Sequence, residues 1–130
     1  MQITGAFLAN SAEAVDGLVY ALGAFPERWS VPRFPWEIPL SLVVLAEVSQ
    51  DEERPSFVVT IRLHHPNTRE DALATWSFTR HDLNEPTGRI RNIAAIRLAP
   101  RFHDEGVHQF SVDPEGGDLV HVPLIVARAG

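Results

Sequence analysis

The sequence predicts an all-β protein, an antiparallel β-sandwich of about eight strands with at most one short helical turn. Three observations carry this. The longest apolar run, Ile38-Pro39-Leu40-Ser41-Leu42-Val43-Val44-Leu45-Ala46-Glu47-Val48, is apolar at odd and even positions alike. That suits a central strand covered on both faces, and the run is too short to span a bilayer. Residues 56–65 alternate strictly, with Phe57, Val59, Ile61 and Leu63 on one side and Val58, Thr60, Arg62 and His64 on the other, the pattern of a half-buried antiparallel strand. Ten prolines and eight glycines punctuate a chain that is 45% hydrophobic, which favours many short elements over a few long helices.

In chain order, residues 3–9 read as a first strand and 18–25 as a second, whose Leu18, Tyr20, Leu22 and Ala24 share a face. Between them Asn10, with Glu13 three residues on, resembles a capping box and Gly17 a helix stop, so one helical turn is expected there. Gly5 and Gly23 inside these strands indicate a bulge or a close backbone approach. Residues 26–37 hold Pro26, Pro32 and Pro35 together with Trp29, Phe34 and Trp36. Proline at that density opposes both helix and ladder pairing and predicts an ordered, extended loop. After the central strand, 50–55 is a polar turn. Pro66-Asn67-Thr68 turns the chain again, into a strand over 72–79 with Ala74, Trp76 and Phe78 inward; Thr68 and Asp71 offer a competing start for a short helix over 68–74. Residues 82–88 are a loop by composition. A strand over 89–99 sets Ile90, Ala94, Ile96 and Leu98 on one face and Arg89, Arg91 and Arg97 on the other, and Pro100 ends it. The runs 107–112 and 119–127 close the chain as a hairpin about Asp113-Pro114-Glu115-Gly116-Gly117-Asp118, with Phe110, Val112, Val120, Val122, Leu124 and Val126 on the core side.

A chain of 130 residues buries roughly two thirds of its unfolded surface, enough for an independent core, so residues 1–130 are read as a single β-sandwich domain. The absence of cysteine excludes disulfides, thiolate nucleophiles and Cys-ligated zinc, and favours a reducing compartment. No basic stretch precedes an apolar one at the N-terminus, and the expected location is cytoplasmic. All eleven basic residues are arginine, which removes lysine Schiff-base chemistry and a P-loop. The formal charge of −6 disfavours nucleic-acid and anionic-membrane partners, which need a basic footprint. Residues 1–53 carry two arginines against eight acids, 54–101 eight against four and 102–130 one against five, giving −6, +4 and −4. Such a distribution is complementary either within the fold or between copies of it.

Two stretches carry a resemblance. Asp16-Gly17-Leu18-Val19-Tyr20-Ala21-Leu22-Gly23-Ala24-Phe25 after a short first strand, and the closing Gly106-x-His108-x-Phe110-x-Val112-Asp113 hairpin, resemble a family of small uncharacterised bacterial β-sandwich proteins common in actinobacteria. The resemblance covers the two ends of the chain and its motifs are structural. It implies a cytoplasmic single-domain sandwich with no assigned activity and transfers no catalytic residue. That family usually has an aromatic where this chain has His108.

Chemistry-bearing patterns are sparse. The histidines at 64, 65, 81, 103, 108 and 121 show neither H-x-H nor H-x-x-x-H spacing, so no metal ligand and no cofactor is assigned. Were a histidine site to exist, His64 and His121 with His81 or His103 are the residues to test. There is no G-x-S-x-G turn, and Asp51-Glu52-Glu53 sit together in a polar turn, so no catalytic residue is assigned. Two patterns point to binding. Arg89, Arg91 and Arg97, joined by Arg62 if the strands are neighbours, present guanidinium groups to a carboxylate-rich partner, with pairing to acids such as Glu47 as the competing role. Trp29, Phe34 and Trp36, held among prolines, are rigid anchors or a plug for the sandwich end. The leading reading is a non-enzymatic protein-binding or assembly module that docks a protein partner or a second copy through this loop or the arginine face. The alternatives are a sandwich that binds carbohydrate or a small-molecule ligand on Trp29 and Trp36, and a small enzyme with a histidine-based site.

Overall fold

The protein is seen in a computed structural model that describes residues 1–79 and 89–130, with Arg89 and Ile90 described by backbone alone. His81 and the expected loop 82–88 lie outside the described residues. Among the described residues eleven strands follow in order: β1 Gln2–Val15, β2 Leu18–Ala24, β3 Arg28–Val31, β4 Trp36–Glu37, β5 Leu40–Ser49, β6 Ser56–His64, β7 Glu70–Thr79, β8 Arg89–Leu98, β9 Arg101–Phe102, β10 Gly106–Pro114 and β11 Val120–Arg128. One sheet has the order β2-β1-β5-β8 and the other β3-β11-β10-β6-β7, while β4 and β9 form a short ribbon. Pairing is antiparallel except for β3 on β11, which is parallel. Among the described residues there is no helix, and therefore none long and apolar enough to cross a membrane.

The predicted central strand is β5, paired with β1 on one side and β8 on the other. Its inward set, Leu40, Leu42, Val44, Ala46 and Val48, is buried, and so are Ser41 and Val43 on the opposite face. Double-sided burial is why the run lacks polar alternation. From the other sheet Phe57, Val59, Ile61 and Leu63 of β6, Phe110 and Val112 of β10, and Leu124 and Val126 of β11 meet it in one buried cluster. Each of these side chains contributes roughly 1.5–3 kcal/mol when fully buried.

Two elements differ from expectation and one open alternative is decided, each for a local reason. The helical turn expected over 10–17 is a hairpin, because Asp16 (φ 52°) and Gly17 (φ 75°) take the two left-handed positions of a type I′ turn, and Asp-Gly is a strong signal for that turn. The competing helix over 68–74 loses to β7. Thr68 sits at φ 71°, its N–H donates to the His65 carbonyl at 3.2 Å and His65 N–H donates to Arg69 O at 2.8 Å, closing a tight connection. The loop 26–37 contains β3 and β4, since proline spares Arg28–Val31 and Trp36–Glu37, and edge or ribbon pairing uses only one side of each. Gly5 marks a bulge against β5, as its position suggested.

Candidate functional site

Beyond Ala9 the β1–β2 hairpin continues past the end of β5 and runs close to β8. Ala9 opposite Ser41 is the last pair of β1 with β5, yet β1 runs on to Val15 paired with β2 alone, so a two-stranded arm extends about 20 Å further. Cross-strand pairs Ser11–Leu22, Glu13–Tyr20 and Val15–Leu18 line one face of it. Four of those side chains are large, apolar and in water, with exposures of 41% for Val15, 58% for Leu18, 60% for Tyr20 and 72% for Leu22. An open cleft of about 960 Å³ separates residues 11–14 of the arm from residues 75–77 of β7 and 93–97 of β8.

At the root of the arm the chain is strained. Phe25 has φ 60°, costly for a bulky residue, and its N–H donates to Leu8 O at 2.9 Å. Its ring, largely exposed, stacks on Phe7 at a centroid distance of 4.6 Å. Together with Val107, Val122, Pro123 and Ile125 these rings line a groove of about 560 Å³, in which Glu27 and His121 are the polar groups.

The residues singled out from sequence are placed elsewhere. Trp29, Phe34 and Trp36 are half-buried and packed against the core, with the Arg33 guanidinium 5.0 Å from the Trp36 ring centroid. Arg62 lies in the β6–β10 sheet, whereas Arg91 and Arg97 lie on β8 at the far edge of the other sheet, so the strands are not neighbours and no common patch forms. Only the backbone of Arg89 is described, opposite Ser49. Arg91 pairs with Glu47 at 3.5 Å. Arg62 bridges Glu70 at 3.3 Å and Asp113 at 3.2 Å.

Beside Arg62, the wet face of the same sheet joins His64 Nε2 to Ser111 Oγ at 3.0 Å, with Glu70 3.7 Å from His64 Nδ1. Sequence alone gave no reason to put a serine beside a histidine; β6–β10 register does it by setting Ser111 opposite Arg62 and diagonal to His64. Ser111 is 1% exposed, so its hydroxyl is out of reach of an incoming carbonyl and this arrangement does not make a nucleophile. His121 stands edge-on to His64 with ring centroids 6.2 Å apart.

A second histidine group lies inside. His65 and His108 are buried with ring centroids 5.3 Å apart, and His103 stands 5.9 Å from His65. His65 Nε2 meets Asp71 Oδ2 at 2.7 Å and His108 Nδ1 meets Gly106 O at 3.1 Å. The bond from His65, reinforced by the Arg69 charge and opposed by desolvation, holds the Asp71 carboxyl below the usual range. Burial pushes His108 down, against the raising effect of its bond to Gly106 O. His65 and His108 were absent from the sequence-derived site, although parity could have found them: each follows an inward series, Phe57 to Leu63 and back from Phe110 and Val112.

Fold and site together define a two-layer, all-β protein with an exposed apolar hairpin and no recognisable catalytic constellation among the described residues. The chain belongs to a family of unknown function, DUF6941, which matches residues 4–127. Neither a curated protein nor a solved structure matches it.

Proposed function

We infer that this chain is a non-enzymatic assembly module that joins a second copy of itself along the β1–β2 arm. One observation carries the reading: β2 is an edge strand with Leu18, Tyr20 and Leu22 in water. Natural sheets guard their edges with charge, brevity or bulges. The other edges obey that rule: β3 has four residues, β7 opens on Glu70 and Asp71 and faces a register shift, and β8 carries three arginines. From Leu18 to Phe25 there is no Asp, Glu, Arg or proline. Antiparallel pairing of β2 with its two-fold mate therefore opposes no like charges, and it closes rather than propagates. A bare two-stranded ribbon is marginal in water, and the second copy supplies the missing neighbour.

The reading takes residues 1–130 as one docking unit in a bacterial cytoplasm, in keeping with the cysteine-free sequence and the resemblance at its two ends. Trp29, Phe34 and Trp36 act in it as a plug, and Arg62, Arg91 and Arg97 as sheet-face charges outside the contact. Size-exclusion chromatography with light scattering tests it: the expected mass is twice 14.5 kDa, and a strict monomer at several hundred micromolar removes the proposal. The groove beside Phe25 favours a second reading, binding of a small apolar molecule, since pockets of this volume with few polar groups suit such ligands. Thermal-shift screening of apolar metabolites checks it, and no stabilisation across the panel counts against it.

A further inference from the structure

The groove at the root of the arm carries an inference that rests on reading it as a ligand site and names the chemistry of the ligand. Three of the large hydrophobic side chains left in water converge there, Phe25 at 70%, Val107 at 53% and Ile125 at 40% exposure. The β10–β11 register sets Val107 opposite Ile125, and the chain leaving β2 brings Phe25 to them. Phe25 stands there against its own backbone preference. Its φ of 60° lies in the left-handed region, which a bulky residue occupies only where its surroundings hold it. The bond from Phe25 N–H to Leu8 O and the stack on Phe7 do so. That stack covers one face of the Phe25 ring, and the ring's exposure leaves the other open. Contiguous apolar surface of this kind marks a binding site.

The charge in the groove selects the ligand. Glu27 is the only Asp, Glu or Arg among the described residues that line it. Its main-chain carbonyl accepts the Ile125 N–H at 3.0 Å, which ties the residue to the groove wall. Its carboxylate has no hydrogen-bond or ionic partner among the described residues. Arg28, opposite Ile125 on β3, lies outside the lining. We propose that the groove binds an organic ammonium ion with an apolar body, the body lying on Phe25, Val107 and Ile125 and the head meeting the Glu27 carboxylate. An ammonium group offers donors only, which suits a carboxylate with the His121 ring as the other polar group of the groove. The open face of Phe25 attracts the same charge, and the formal charge of −6 adds to the preference at long range. An anionic ligand would meet like charge at Glu27.

The test uses the parent chain and three probes of one shape, phenylbutylamine, phenylbutanol and phenylbutyrate, at about pH 8, where an alkylamine is protonated. The amine is expected to bind one site per chain about tenfold more tightly than the alcohol. Amide NMR shifts should centre on Phe25, Val107 and Ile125, and the butyrate should not bind. Glu27→Gln is expected to bring the amine down to the affinity of the alcohol, and Phe25→Ala to weaken both. Glu53→Gln, in the polar turn after β5, should bind as the parent does. An amine that binds no more tightly than the alcohol overturns the cation assignment and leaves the apolar groove standing. So does an advantage of the amine that survives in Glu27→Gln with circular dichroism unchanged. Binding of none of the three probes overturns the groove itself as a ligand site.

Discussion

Replacing Leu22 by glutamate separates the arm's proposed role in assembly from any role in folding. In the isolated chain Leu22 is 72% exposed, so the substitution removes little burial and its effect on monomer stability stays within about 0.5 kcal/mol. In a β2–β2 pair the same side chain is covered. Full burial of leucine contributes roughly 1.5–3 kcal/mol, so covering the exposed share is worth about 1–2 kcal/mol per copy. Two-fold symmetry doubles that to about 2–4 kcal/mol, before the cost of desolvating two carboxylates. Each 1.4 kcal/mol is a factor of ten, and the dimer constant is expected to weaken at least about thirtyfold. Sedimentation velocity across a concentration series reads this directly, with a Ser77→Glu variant on the exposed face of β7 as the control that leaves association alone. Equal dissociation constants for parent and Leu22→Glu would refute the argument, because no geometry that uses this edge is indifferent to a charge there.

Four further perturbations probe the scaffold. Phe110→Ala empties a fully buried site between the sheets and should cost about 3–5 kcal/mol, seen as a lowered midpoint in urea with the slope unchanged. Gly17→Val forces a β-branched residue to φ 75° in the arm's turn and should cost about 1–3 kcal/mol. On the proposed assembly through the arm, that variant should also lose dimer, measured by light scattering. Asp71→Asn replaces the acceptor of the 2.7 Å bond from His65 by a neutral group and should lower stability by about 1–3 kcal/mol in calorimetry. Arg62→Ala, by contrast, breaks bridges whose side chains are 34–50% exposed and should cost less than about 1 kcal/mol.

The competing roles anticipated for the sequence-derived residues illustrate how far local pattern reaches. Glu47 was the acid anticipated opposite the arginine row, and β5–β8 register brings Arg91 to it. Proline-flanked aromatics were offered as either anchor or plug, and the core claims them. Neither outcome can be read from spacing, because side-chain burial at a loop depends on which strands happen to lie beneath it. The His65 and His108 pair is farther still from the sequence: they are 43 residues apart (108 − 65) and meet because β6 and β10 are neighbours in one sheet.

Period-two patterning is a property of the chain alone, because successive side chains of an extended backbone must alternate and the inner face of each sheet is the dry one. That determined the all-β class and the strands β6, β10 and β11 with their inward residues, while β5 was marked by a run apolar at both parities. Strand order, the continuation of the hairpin beyond β5, and the packing of the His65 ring against the His108 ring in the interior were decided by tertiary structure. Pairing between distant segments rewards the summed fit of whole faces, and no single stretch carries that sum.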